Sequence, residues 1–441
     1  MTCILELNDA ELTLYRDASV LHRSPGVAVV LDGDVHFGEQ ALRMSRIHPR
    51  QANPYYFTRL NADPLPAPGP RARNHADLVY LHLKTFKPLI DAEGGELLLA
   101  VPGILSADQL GVLLGVLHEV GVRVTGFVDA AVAALSTQAL PPRAYHLDVM
   151  MQRAVVTTVD SGSSVGKAGA QEVPECGLNR LLDAWINVIA DRFVRETRFD
   201  PLHAAATEQQ LFNQLYDWIE SGGEGQELVV EVVHADHTRR VELGRGLLED
   251  KAEQRLRQIA DVIPAGADVY LSARSARLPG LRRTLEDLQA RTVTLPDDAL
   301  PRGCLDNLRH IVPADGELRL VTRLPVAGAR VEREAVDAAP QPADSAAPTD
   351  SSARMDSSAE TDSSARRGSS TPTHALRGHE AWPLADDDSV LPTSRDGVRL
   401  VLAARPGVLL NGRPVAERTA LAVGDRVAMG EQEYLIIRVR E

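Results

Sequence analysis

From about Val331 to Ala375 the chain carries almost no bulky apolar side chain. DAAPQPADSAAPTDSSARMDSSAETDSSARRGSSTPTHA is built from Ala, Ser, Asp and Pro. Its near-repeat, TDSSAR, MDSSAE, TDSSAR, begins at Thr349, Met355 and Thr361. Such a segment cannot bury enough apolar surface to offset the entropy of ordering its backbone. It is expected to be a disordered tether, with phosphorylation of its Ser and Thr residues as the alternative use. The chain therefore divides into residues 1–328, a linker at 329–375, and a second unit at 376–441.

A length of 441 residues allows two or three separate cores. Lys and Arg total 47 against 61 Asp and Glu, a net charge of -14, which argues against a general nucleic-acid binder. Cys3, Cys176 and Cys304 lie far apart with no CxxC spacing, so neither zinc nor a disulfide framework is expected, and a reducing cytosol fits. The start, MTCILELNDAEL, lacks a basic region followed by an apolar one, so no signal peptide is expected. No apolar run approaches the roughly 20 residues of a membrane helix. The expectation is a cytoplasmic protein with protein partners, without nucleic acid or membrane.

Before the linker the pattern is α/β. ELLLAVPG, from Glu96, reads as a buried strand. Ser106 and Gln109 have capping-box spacing ahead of an apolar helix stopped by Gly121. VRVTGFV is the next strand. Leu178, Leu181, Leu182, Trp185, Ile189 and Phe193 share one helical face. ELVVEVVHADHTRRVEL reads as a hairpin, and ADVYLSA feeds the helix LPGLRRTLEDLQ. YHLDVMMQRAVVTTVD, from Tyr145, reads as two strands around a turn of four bulky residues, Met150 to Arg153.

The order of these segments resembles the nucleotide-binding domain of the Hsp70 family, within the actin-like ATPase superfamily. SPGVAVVLDGDVHFGEQALRMSRIHPRQ is similar to that family's early strands and G-x-x-A helix. LLLAVPGILSADQLGVLLGVLHEVGVRVTGFVDAAVAAL is similar to its V-P-A-x-F-x-x-x-Q-R segment and closing alanine run. CGLNRLLDAWINVIADRF resembles its G-G-x-x-x-D helix. VYLSARSARLPGLRRTL resembles its V-L-V-G-G-S-T-R-I-P-x-V segment, and DDALPRGCLDN its D-E-A-V-A-x-G-A-A close. The resemblance spans residues 1 to about 312 and implies a two-lobed actin/Hsp70-like ATPase fold.

It also implies three nucleotide-holding turns, and all three are altered. D-L-G-T-T-N becomes ELNDAEL, with Glu6 for the aspartate, Asn8 for the glycine, and Asp9 and Ala10 for the threonines. A carboxylate at Asp9 would face phosphate oxygens and repel them. D-L-G-G-G-T-x-D becomes Asp148 to Val155, keeping Asp148 but placing Met150 and Met151 where phosphates would pass. G-G-S-T-R becomes Ala273, Arg274, Ser275, Ala276 and Arg277. The family's coupling E-P-T is Asp129, Ala130 and Ala131, and its lysine has only Arg59 or Lys84 as stand-ins. The vestigial cleft positions are Glu6, Asn8, Asp148 and Ser275.

After the linker, short strands around Asn411-Gly412 and Val423-Gly424-Asp425 have the spacing of a small β-sandwich. Ser394-Arg395, Asn411-Gly412 and Leu421 to Asp425 resemble the S-R-x-H, N-G and L-x-x-G-D motifs of forkhead-associated (FHA) domains. Gly397 stands for the histidine, and no phosphate-gripping Gly-Arg precedes it. By that resemblance Ser394, Arg395, Asn411 and Gly412 would form a phosphopeptide-type loop.

Three other groupings invite chemistry. His234, Asp236 and His237 share one turn but read as solvent-exposed. Tyr55, Tyr56 and Phe57 could stack bases but read as core. Cys176 precedes a helix, where a thiol pKa falls, yet no partner is placed beside it. The expectation is therefore an Hsp70-like pseudo-ATPase without catalytic residue, cofactor or metal, acting as a protein-binding scaffold. The alternatives are an ATP- and Mg-binding chaperone-like ATPase, or a phosphothreonine-dependent adaptor.

Overall fold

Leu97, Leu98, Leu99, Ala100 and Val101 are all buried. A strand covered on both faces belongs in the middle of a sheet with parallel neighbours, and that is where Glu96–Val101 lies. It pairs in parallel with Cys3–Glu6 on one side and Arg123–Asp129 on the other. The structure, a computed structural model, describes residues 2–222, 227–314 and 316–326. In the C-terminal region it describes 374–377, 380–384, 391–396, 399–405, 407–415, 417–423, 425–430 and 432–437. All but the last two residues of the expected linker, 329–375, lie outside the described residues.

The chain is mixed α/β, and two six-stranded sheets share the topology of five of their strands. In the first, Cys3–Glu6, Leu12–Arg16 and Ser19–Ser24 form an antiparallel meander, and Glu96–Val101 and Arg123–Asp129 extend it in parallel. In the second, Arg143–Val149, Arg153–Ser161 and Ser164–Pro174 form the meander, and Asp268–Leu271 and Arg291–Thr294 are the parallel additions. Helix Ala107–Val120 carries the step from Glu96–Val101 to Arg123–Asp129, and Leu281–Asp287 lies in the step from Asp268–Leu271 to Arg291–Thr294. Helix Ala107–Val120 begins at the expected Ser106–Gln109 capping box and ends on Gly121 in the left-handed region.

The sixth strand of each sheet comes from one short segment. Leu320–Val321 pairs with Arg123–Asp129, and Arg323–Pro325 pairs with Ser164–Pro174. Leu324, fully buried, joins a core that contains Ile4 and Leu98 from the first sheet and Val159 and Val165 from the second. The two sheets are thus stitched by backbone hydrogen bonds and a shared apolar layer. Among the described residues no helix is long and apolar enough to cross a membrane.

The aromatic segment expected to be core is largely that: Tyr56 and Phe57 are buried, while Tyr55 is exposed. Tyr56 reaches His82, which is sealed between Ser24 Oγ at 2.7 Å and the Tyr56 hydroxyl at 2.6 Å, with Phe37 stacked on its ring. Burial, with a smaller contribution from His22, lowers the His82 pKa to about 3. The folded protein therefore holds His82 neutral, whereas the unfolded chain takes up a proton below its ordinary value of about 6.5. Stability must fall as the pH drops from 6.5 towards 3. By pH 5 this one residue should cost about 2 kcal/mol. Urea unfolding at pH 7 and pH 5 checks this, because a His82→Gln variant should lose less between the two conditions than the wild type.

Past the linker, Asn411-Gly412 takes the left-handed conformation of a tight hairpin turn between Val408–Leu410 and Arg413–Pro414. A separate apolar cluster, including Leu402, Val408, Val427, Tyr434 and Ile436, sits between a six-stranded and a three-stranded sheet.

Candidate functional site

The turn Met150 to Arg153 is held from below by the helix that follows it. Leu178 N–H donates to Met150 O at 2.9 Å and Asn179 N–H to Met151 O at 3.0 Å, so the turn's carbonyls cap Leu178–Thr197. Gly177 permits this: a Cβ there would come within 2.2 Å of the Gln152 carbonyl carbon. Both methionines are buried, at 4% and 2% exposure. Met151 belongs to a large core with Leu147, Cys176, Trp185 and Val29, while Met150 lines a small cavity beside Asn8 and Asp148.

The first turn faces this one. Asp9 is 1% exposed, and its Oδ1 accepts from Met151 N–H at 2.7 Å. Its Oδ2 accepts from Thr58 Oγ at 2.8 Å. The carboxyl group that the sequence reading set against a phosphate thus takes the second turn's amide itself. Burial raises its pKa, while the Met151 and Thr58 hydrogen bonds and the nearby Arg153 pull it down. Arg153 pairs with Glu172 at 2.7 Å.

Glu6, Asn8, Asp148 and Ser275 converge. Asn8 Nδ2 donates to Asp148 Oδ2 at 2.7 Å, and Asn8 Oδ1 accepts from Ala10 N–H at 2.9 Å. Ser272 Oγ donates to Asp148 Oδ1 at 2.6 Å, and Ser275 Oγ accepts from Val149 N–H at 2.8 Å. Glu6 accepts from the Tyr15 hydroxyl at 2.7 Å. Burial raises the Glu6 pKa; Arg274 opposes the shift and Asp148 reinforces it. Every amide or hydroxyl named here is spent on another protein group.

Sequence reasoning missed a buried ion pair. Arg274 Nη2 binds Glu11 Oε1 at 2.8 Å, with side-chain exposures of only 14% and 9%, and Arg23 lies 3.6 Å from the same oxygen. Burial would lower the Arg274 pKa, but Glu11, Glu6 and Asp148 hold it above its usual value. The signal available was a complementary pair of charges, Glu11 in ELNDAEL and Arg274 in ARSAR, in two of the turns already singled out. The cavity these groups line, with Tyr15 and His146, measures about 60 Å³, against roughly 300–1,000 Å³ for ordinary ligand pockets.

On its outer side the cleft is clamped by Arg46 to Asp183 at 2.7 Å and by Gln209 Nε2 to Leu42 O at 3.1 Å. Arg59 and Lys84 both lie outside the cleft, against Tyr55 and Tyr80. Asp129 is fully buried at the start of Ala130–Leu135, where it accepts from Val132 N–H. Burial raises the Cys176 thiol, opposite to the effect expected from its place before a helix. The described residues contain no metal-holding group of three His, Cys, Asp or Glu.

In the C-terminal unit, Asn411 is tied to Asp425 and to the Arg426 amide, at 2.8 and 2.9 Å, and Ser394 Oγ accepts from Arg418 at 3.3 Å. The Arg395 side chain, Gly397 and Gly424 lie outside the described residues. No protein-family model matches the chain, and no curated protein matches it in sequence.

Proposed function

We propose that residues 1–328 are a non-catalytic pseudo-ATPase of the two-lobed actin/Hsp70-like kind, used as a protein-binding scaffold and tethered to an FHA-like module. One observation carries the reading: the Asp9 carboxylate sits on the Met151 amide, where the resembled fold presents amides to a phosphate. The repeated sheet topology supports the fold assignment. A domain whose halves are joined by its own carboxylate, a buried Arg274–Glu11 pair and a shared core has no need of nucleotide to bring them together. What such a rigid body offers is surface, so its partners are proteins.

Calorimetry with Mg-ATP and Mg-ADP is the test. Binding should be no tighter than about millimolar, roughly 4 kcal/mol. Micromolar binding accompanied by turnover would restore a working ATPase.

A further inference from the structure

Helix Ala107–Val120 is apolar on more than one side. Leu110, Leu113, Leu117 and Val120 form the stripe packed on the first sheet with Leu99 and Phe127. Helical spacing puts Gly111 and Gly115 on the opposite face, between Asp108 and Glu119. That face should meet solvent, yet both glycines are buried while Asp108 and Glu119 are exposed. The backbones of His374–Arg377 and Glu380–Pro383 lie against this helix.

The C-terminal sheet is built for such a contact. Along Gln432–Ile437, Tyr434 and Ile436 point into the module's own core. Strand alternation turns Leu435 to the other face, where it packs against the cluster containing this helix.

We propose that the Gly111–Gly115 face is the docking site of the chain's own C-terminal β-module, which covers it intramolecularly through the outer face of its six-stranded sheet. Two glycines without Cβ atoms let a strand backbone approach the helix closely. The tether makes a weak contact sufficient, because a linked module experiences an effective concentration of order millimolar. This inference is independent of how the cleft is read.

The test uses the full chain and two variants, Gly115→Arg on the helix and Leu435→Lys on the module. Each should speed hydrogen exchange of amides in 107–120 by about tenfold and enlarge the radius of gyration in X-ray scattering. Protection along 432–437 in Gly115→Arg should persist, showing that the module has left the helix without unfolding. Unchanged exchange and size in both variants would overturn the proposal. So would wild-type protection that rises with protein concentration alongside a dimer in light scattering, which would assign the face to a second copy.

Discussion

Replacing Met150 and Met151 together with glycine should lower the unfolding free energy by roughly 4 kcal/mol or more. Each buried methionine truncated costs about 2–5 kcal/mol, and each glycine adds about 0.5–1 kcal/mol of backbone entropy. The two costs will not add fully, because the side chains are neighbours. Met151 should dominate, since it packs among Leu147, Cys176 and Trp185, whereas Met150 borders a cavity. The variant should gain no affinity for Mg-ATP. Asp9 still holds the amide at position 151 through a backbone bond that glycine retains, and Arg274 still spans to Glu11. Thermal melts with and without Mg-ATP check both halves. An unchanged melting temperature would put the methionines in solvent, and a melting temperature raised by ATP would make the side chains the only block.

Local features of this fold were legible in the sequence because they are set by neighbours in the chain. The Ser106–Gln109 box, the apolar face from Leu178 to Phe193, the hairpin about Ala235 and Asp236, and the Asn411-Gly412 turn all stand as read. The convergence of Asn8, Asp148 and Ser275 was also anticipated, but only through resemblance, because nothing local links positions so far apart. What periodicity could not supply was the partner of each charge. Asp9 in ELNDAEL looks like a solvated turn residue until Met151 and Thr58 are brought to it. Glu11 and Arg274 are 263 positions apart and each looks like a surface charge. The stitching strands at Leu320–Val321 and Arg323–Pro325 are too short to carry an alternation, and it is the sheet edges they meet that make them strands.

Arg274→Ala should be as damaging as the methionine pair, costing about 3–5 kcal/mol at pH 7. A buried ion pair contributes little net stability, but removing one partner leaves the other charge uncompensated. Here the cation faces Glu11, Glu6 and Asp148, and Arg23, at 3.6 Å from Glu11, is a more distant counter-charge. Replacing both members, Arg274→Met with Glu11→Gln, should therefore recover the part of the loss that comes from Glu11, with Glu6 and Asp148 still uncompensated. The pH dependence has a definite sign. The folded-state pKa of Glu6 is already raised by burial, with Asp148 and Glu11 adding to it and Arg274 opposing. Without Arg274 it rises further. A carboxyl with a raised folded pKa destabilises the protein fully at pH values above that pKa, and the penalty shrinks as the pH falls from there towards the unfolded value. Urea unfolding should thus show the Arg274→Ala deficit at its largest near pH 7 and smaller at pH 5. A deficit that stays constant across that range would mean that the loss comes from packing of the Arg274 side chain, and that its charge does not hold the cleft together.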